Sequence, residues 1–419
     1  MRTTVVVLQD LGRSPRMQAH ALALAHGGDV TLIGLEGAPV QAAVAAESRI
    51  RSVRLRDRAF RGRTSGGPWR YVGLSAARAA LQGVRLGLAL MCGPTPDLVL
   101  VQNPPAIPTL AAGWAVARLR GARLVIDWQN LSHTLAAVPL GEAHGAVRAI
   151  RRGERRWARR ADAHLAISRA MADWLLRECG VGAVVFHDAP VSCFKKPALE
   201  VASSMWQRLS HELALGARRV PLVVCATSWN PEEDVDLLLE SLERAERRLV
   251  TQRGPGNPNA PDLALLMTGR GPLRAEFERR VARRALTRVA VRTIWLEPAD
   301  YPVLVGMADA GVCLHQSSSG RDLPIRLAEF RGCGVPLCVY DYAPVVGEVL
   351  TNGKEGVTFR EPGELANVLV ALATNDLSSV PAFAASREWL VTHPSEPWDE
   401  AWRRIAAPVL KATSERAET

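Results

Sequence analysis

The sequence predicts an α/β protein built from two Rossmann-like, doubly wound parallel sheets, and three observations carry that expectation. Short apolar runs alternate with helical stretches from end to end. The alternation restarts after a proline-bearing segment at His187–Leu199. The 419 residues are enough for two domains of ordinary size. The domains are expected at residues 1–195 and 196–395, with a terminal helix and tail at 396–419.

In the first half, strands are expected at Thr4–Leu8, Val30–Gly34, Ile50–Leu55, Asp97–Val101, Leu124–Asp127 and His164–Ile167. The turn Gln9-Asp-Leu-Gly-Arg-Ser-Pro-Arg-Met17 leads into a helix, with Ser14 as its cap and Pro15 at its first position. Asp57–Arg70 reads as an exposed loop. Tyr71–Cys92 follows as a helix with small and apolar residues on most sides, which places it in the core. Arg78 and Arg85 make it too impure to span a membrane. In the second half, strands are expected at Val223–Thr227, Leu263–Met267, Val291–Trp295, Ala310–Leu314 and Val335–Tyr340. Thr251–Pro261 reads as a surface loop and Trp398–Ile405 as an amphipathic helix.

Composition bounds the function. Nearly half the residues are apolar, enough for two cores. Seven scattered cysteines form no C-x-x-C pair, which argues against a zinc site or disulfide framework and for a reducing compartment. Thr3-Thr-Val-Val-Val-Leu8 is a core strand close to Met1, so no signal peptide is expected. Residues 1–180 hold 25 Arg, no Lys and 12 acidic residues, whereas the remainder holds 27 basic and 30 acidic residues. The basic half suits an anionic membrane or a phosphorylated acceptor; no RNA or DNA motif accompanies it, so nucleic acid is not expected as a partner.

Two stretches have the chemistry of a phosphate site. His315-Gln-Ser-Ser-Ser-Gly320-Arg-Asp322-Leu323-Pro324-Ile-Arg326-Leu-Ala-Glu329 follows a strand and opens a helix with Pro324 at its first position. Unpaired N–H groups and Arg326 there would suit an anion, and Glu329 a sugar hydroxyl. An ordinary strand–loop–helix unit explains the same residues. Thr268-Gly269-Arg270-Gly271 puts a glycine turn and a cation after another strand, where backbone can approach a diphosphate. Gly12-Arg13-Ser14 is the matching turn in the first half. Asp234 and Asp236 fit a helix start better than a metal site. His133 is a candidate proton carrier beside Asp127, or a bystander. The Arg151–Arg160 run is a solvated helix face or a membrane-surface patch.

Taken in series, Gln9–Met17, Gln102-Asn-Pro-Pro105, Val125-Ile-Asp-Trp128, Thr268–Leu273, Ser317–Pro324 and Trp398-Asp-Glu-Ala-Trp402 resemble the chitobiosyldiphosphodolichol β-mannosyltransferase family. The resemblance implies a GT-B fold, with two Rossmann-like domains facing across a cleft and the terminal helix crossing back to the first. It implies inverting transfer of mannose from GDP-mannose to a lipid-linked chitobiosyl diphosphate, forming a β1,4 bond. Gly12, Arg13, Thr227, Ser228, Trp229, Gly269, Arg270, Gly320, Asp322, Leu323, Pro324, Arg326 and Glu329 would bind the donor, with Glu329 on the ribose. Asp10, Gly12 and Arg13 would approach from the acceptor side.

The base would be Asp10, with Asp127 and His133 as alternatives. No cofactor is expected beyond loosely held Mg²⁺, and the protein would sit on the cytoplasmic face of a membrane. Three departures stand out. No hydrophobic anchor is expected ahead of the first strand, the family's Asp-Trp-His-Asn reads Asp127-Trp-Gln129-Asn130, and Arg321 and Arg326 replace a usual Leu and Lys. A transferase using another nucleotide sugar or acceptor, or a non-catalytic partner of a membrane transferase, remain the alternatives.

Overall fold

A computed structural model describes residues 1–56, 68–216, 218–229, 233–258 and 260–412. The loop expected from Asp57 lies outside the described residues as far as position 67, and Pro68 already opens a helix. The chain divides into two compact units, Met1–Asp188 together with Asp399–Thr419, and Ala189–Trp398.

The first unit runs β1 (Thr3–Asp10), α1 (Pro15–Ala25), β2 (Val30–Leu35), α2 (Ala42–Ala46), β3 (Ile50–Leu55), α3 (Pro68–Cys92), β4 (Leu98–Asn103) and α4 (Thr109–Arg120). It continues through β5 (Arg123–Trp128), α5 (Ser132–Leu140), α6 (Gly145–Ala158), β6 (Ala163–Ala166), α7 (Arg169–Trp174) and β7 (Val184–Val185). Its parallel sheet has the order β3-β2-β1-β4-β5-β6-β7. Val5, Val6 and Val7 pair with β2 and are wholly buried, as are Val99, Leu100 and Val101 on β4. Unbroken apolar runs of this kind mark strands covered on both faces. β3, at the edge, instead exposes Arg51, Ser52 and Arg54, which discourages further pairing.

Two expectations change here. Ser14 occupies the position before α1, but its hydroxyl donates to the Asp10 carbonyl at 3.1 Å instead of capping the helix. The tight turn at Leu11–Arg13 brings that carbonyl within reach first. α3 is not a core helix all round: Leu86 and Leu90 are buried, while Val84 and Leu88 are 61% and 60% exposed.

The second unit runs α8 (Leu199–Glu212), β8 (Leu222–Ala226), α9 (Val235–Arg253), β9 (Leu263–Thr268), α10 (Arg274–Ala282), β10 (Val289–Ile294), α11 (Asp300–Gly306) and β11 (Ala310–Cys313). After these come α12 (Arg326–Gly332), β12 (Leu337–Tyr340), β13 (Gly356–Phe359), α13 (Pro362–Thr374) and α14 (Pro381–Thr392). The sheet, again parallel, has the order β10-β9-β8-β11-β12-β13. Leu238, Leu242, Leu249, Leu265, Phe277 and Leu369 lie in a core on one side, and Leu209, Leu266, Leu304 and Phe330 in a core on the other. α12 starts at Arg326, two residues after the expected Pro324, because Leu327 N–H first closes a tighter turn onto the Pro324 carbonyl.

The chain then returns to the first unit, as expected, through α15 (Trp398–Ala401), a wider turn at Trp402–Ala406 and α16 (Ala407–Lys411). Trp402 is buried there, and its indole N–H donates to His20 Nδ1 at 3.0 Å. Arg123 on β5 donates to the carbonyls of Val409 and Ala412. Among the described residues no helix is long and apolar enough to cross a membrane.

Candidate active site

In each sheet the strand order reverses at one point, between β1 and β4 and between β8 and β11. Crevices beyond the carboxyl ends of such strands are where open α/β sheets bind ligands. Those ends carry most of the residues singled out by the sequence.

At the end of β1, Asp10 is held by backbone. Oδ1 accepts from Gly12 N–H at 3.1 Å and from Ala38 N–H at 3.0 Å, and Oδ2 accepts from Ala38 N–H at 3.1 Å. A side chain at Gly37 would overlap this carboxylate, so glycine there is a requirement of packing. Exposed Arg13 lies 3.5 Å from Oδ2. A carboxylate offers about four lone-pair sites, so partly exposed Asp10 retains capacity for one more proton donor.

Asp127, at the end of β5, is in a different situation. It is wholly buried and gripped by Arg16, whose Nε and Nη2 donate to its two oxygens at 2.8 and 2.9 Å. Gln129 donates a further bond at 2.9 Å, and Arg16 Nη1 reaches Asp188 at 2.8 Å. Burial opposes the Asp127 charge, but the charge and hydrogen bonds of Arg16 outweigh it and hold the carboxyl below its usual range. Asp127 is therefore a structural anion with no access to a substrate proton, and it drops out as a base. Burial holds His20, beside this pair, neutral, with a pKa of about 3.

His133 is not coupled to Asp127. Its Nδ1 lies 2.5 Å from Oε2 of Glu154, a wholly buried carboxylate whose Oε1 accepts from Ser132 N–H at 2.7 Å and from Asn103 Nδ2 at 3.2 Å. The ring stacks on Trp174, with centroids 5.7 Å apart. Glu154 thus fixes the imidazole and leaves Nε2 as its free end. Sequence reasoning missed Glu154 because it stands among arginines, where an acid reads as a surface partner.

In the second unit the organiser is Glu233, also missed. Its Oε2 accepts from the Thr227 hydroxyl, from Ser228 N–H at 2.8 Å and from Trp229 N–H at 3.0 Å, and its Oε1 takes Arg326 Nη1 at 3.1 Å. Burial disfavours the Arg326 charge, yet Glu233 outweighs it and the guanidinium pKa is raised. Gly269, at φ 116°, passes so close to the Thr227 carbonyl that any side chain would collide with it. Trp229 is buried and packs edge-on against Phe277, so its side chain anchors the loop. Ser228 is exposed, and Arg270 stacks over Trp295 at 4.0 Å.

Asp322 shapes the other loop. Its Oδ2 meets His315 Nε2 at 2.9 Å, its Oδ1 accepts from Ser317 and Ser319, and its carbonyl accepts from Tyr342 at 2.6 Å. Gly320 takes a left-handed φ of 65° in this loop, and Leu323 packs towards the core while Pro324 is buried. Glu329 accepts from Tyr301 at 2.7 Å. Burial and Glu329 push that phenol well up, so it remains a donor. Glu233 and His315 also form a backbone bridge, so contacts run unbroken from Gly269 through Thr227 and Glu233 to Arg326 and Asp322. Asp234 caps α9 through Leu237 N–H at 3.0 Å, and Asp236 pairs with Arg280.

A glycosyl transferase 4-like domain model matches residues 11–187. The chitobiosyldiphosphodolichol β-mannosyltransferase of Mus musculus is 33% identical over 436 residues, covering 97% of this chain and 88% of that protein. The UDP-glycosyltransferase TURAN of Arabidopsis thaliana is 33% identical over 454 residues, covering 98% and 97%. Among solved structures, Anabaena Alr3699/HepE in complex with UDP and glucose superposes with a TM-score of 0.67 at 16% identity, covering 98% of this chain and 100% of that one. The last likeness bears on fold alone and agrees with GT-B. Kinship over nearly the whole length bears on more: the chain is a glycosyltransferase and belongs to the chitobiosyldiphosphodolichol β-mannosyltransferase family.

Proposed function

We propose that the protein moves mannose from GDP-mannose, with inversion, to the outer GlcNAc of a lipid-linked chitobiosyl diphosphate, forming a β1,4 bond. The near-full-length identity to the mouse β-mannosyltransferase carries this reading. In it, the second unit holds the donor. Arg326 and Arg270 neutralise the charge that grows on the departing GDP, and the Gly269 and Gly320 turns let backbone approach its diphosphate. Glu329 takes the ribose. Glu233 and Asp322 act one step back, by setting the two loops. Mg²⁺ bound only with the donor is compatible with this chemistry and is not required by it. The work belongs at the cytoplasmic face of a membrane, where the acceptor's lipid stays embedded.

The first unit supplies the base. Asp10 takes the acceptor hydroxyl proton late, as positive charge develops on the attacking oxygen. A second reading is favoured by the 2.5 Å contact of His133 with buried Glu154, which leaves an oriented imidazole with a free nitrogen. The deciding experiment supplies the full chain with radiolabelled GDP-mannose, UDP-glucose or UDP-GlcNAc and a short-chain chitobiosyl diphospholipid. A β-linked mannosyl product from GDP-mannose alone is expected; transfer from a UDP-sugar and none from GDP-mannose overturns the donor assignment.

A further inference from the structure

α3, α4 and α6 are neighbours in the first unit. Gly83 of α3 lies against Pro108, Arg120 of α4 donates to the Met91 carbonyl of α3, and Trp114 of α4 and Trp157 of α6 pack with ring centroids 5.3 Å apart. A helix covering a sheet ordinarily turns polar residues outward. Here α3 and α4 also turn large apolar side chains outward: Val84 at 61%, Leu88 at 60% and Leu119 at 73%. Partly exposed Ala111, Ala112 and Ala115 continue the stripe along α4.

Exposed charge on these three helices has one sign, although Glu178 beyond them pairs with Arg151 and Arg155 of α6. Among the described side chains of α3, α4 and α6 the sole acid is Glu154, which is buried. Arg148, Arg152 and Arg156 recur every four residues along α6 and share one side of it. Arg118, Arg148 and Arg152 are exposed and make no ion pair among the described residues. Arg160 lies over both tryptophan rings, 5.8 Å from Trp114 and 5.5 Å from Trp157.

We propose that this three-helix face docks on an anionic lipid surface, with Val84, Leu88 and Leu119 entering the headgroup boundary and the α6 arginines meeting lipid phosphates. Apolar area and basic charge add in such binding, and tryptophan suits the boundary between them. Charge selects the occupant. A surface of uniform negative charge matches three helices whose described side chains expose arginine and no acid, whereas a second copy of this chain would set arginine against arginine.

The test uses the full chain with phosphatidylcholine vesicles, with and without phosphatidylglycerol. Binding is expected to need the anionic lipid and to weaken with salt. Arg148→Gln with Arg152→Gln should weaken it about 30-fold, at roughly 1 kcal/mol for each basic residue near the surface. Leu88→Glu should weaken it at least about tenfold, with melting temperature and donor stabilisation unchanged because Leu88 is largely exposed. Equal binding to neutral vesicles, or none to anionic ones, overturns the proposal. So does a wild-type dimer that Leu88→Glu dissociates while vesicle binding persists, or a purified acidic protein that competes fully for the face. Loss of sugar transfer with vesicle binding intact would count against the proposed reaction and leave this surface standing.

Discussion

Arg326 on α12 and Glu233 in the loop after β8 stand 93 positions apart, and their side chains meet at 3.1 Å. The contact joins the loop touched by Gly269 to the helix that would face a departing diphosphate. Arg326→Ala should lower kcat by about 10²–10³, the usual effect of removing one charge-stabilising donor. The fold should suffer little, since Glu233 keeps three other donors. Arg326→Lys should keep most turnover. Glu233→Gln should instead lower stability by about 2–3 kcal/mol, short of a fully buried pair because Arg326 is partly exposed. Steady-state kinetics beside thermal melting separates the two effects.

Gly269→Ala tests the close approach of the two loops. The added methyl would collide with the Thr227 carbonyl at a backbone angle that side chains rarely adopt. The expected outcome is donor affinity about tenfold weaker or worse in titration calorimetry, from strain of the order of 1–3 kcal/mol. Unchanged affinity would mean the turn does not contact the donor.

The base can be identified by three substitutions. Asp10→Asn should reduce kcat by about 10²–10⁴, the span of general-base catalysis, with a native melting curve. His133→Gln should do so in its place if the imidazole is the base. Asp127→Asn should act mainly on stability, since it weakens the buried Arg16 cluster and touches no substrate.

Stability should fall in mild acid. Burial holds the folded pKa of His20 at about 3 and that of His164 at about 4, against 6.5 for an ordinary imidazole. The unfolded chain therefore takes up these protons first as pH drops. Stability present above pH 6.5 is lost progressively towards pH 4, at about 2 kcal/mol per histidine by pH 5. Thermal melting across this range should show the decline, and His20→Gln with His164→Gln should flatten it.

The strands were legible because parallel strands covered on both faces need unbroken apolar runs, as in Val5–Val7 and Leu263–Met267. Glycine turns were legible too, since Gly269 and Gly320 stand where left-handed backbone follows a strand. The start of α12 was misplaced by two residues because a proline favours a first helical position without enforcing one. Partnerships were the hidden part. Arg16 meets Asp127 and Asp188 across 111 and 172 residues, and no spacing rule reaches that far. Glu154 and Glu233 stood in charged runs that conceal which member faces inward.

The return of the chain to its first unit carries a consequence for synthesis. The niche that receives the Trp402 indole stays empty while the whole intervening unit is made, so a nascent first unit waits on the ribosome without this contact. Fusions or trimming at the carboxyl terminus therefore act on the amino-terminal lobe, and a reporter attached there would perturb the end of the protein it was meant to leave alone.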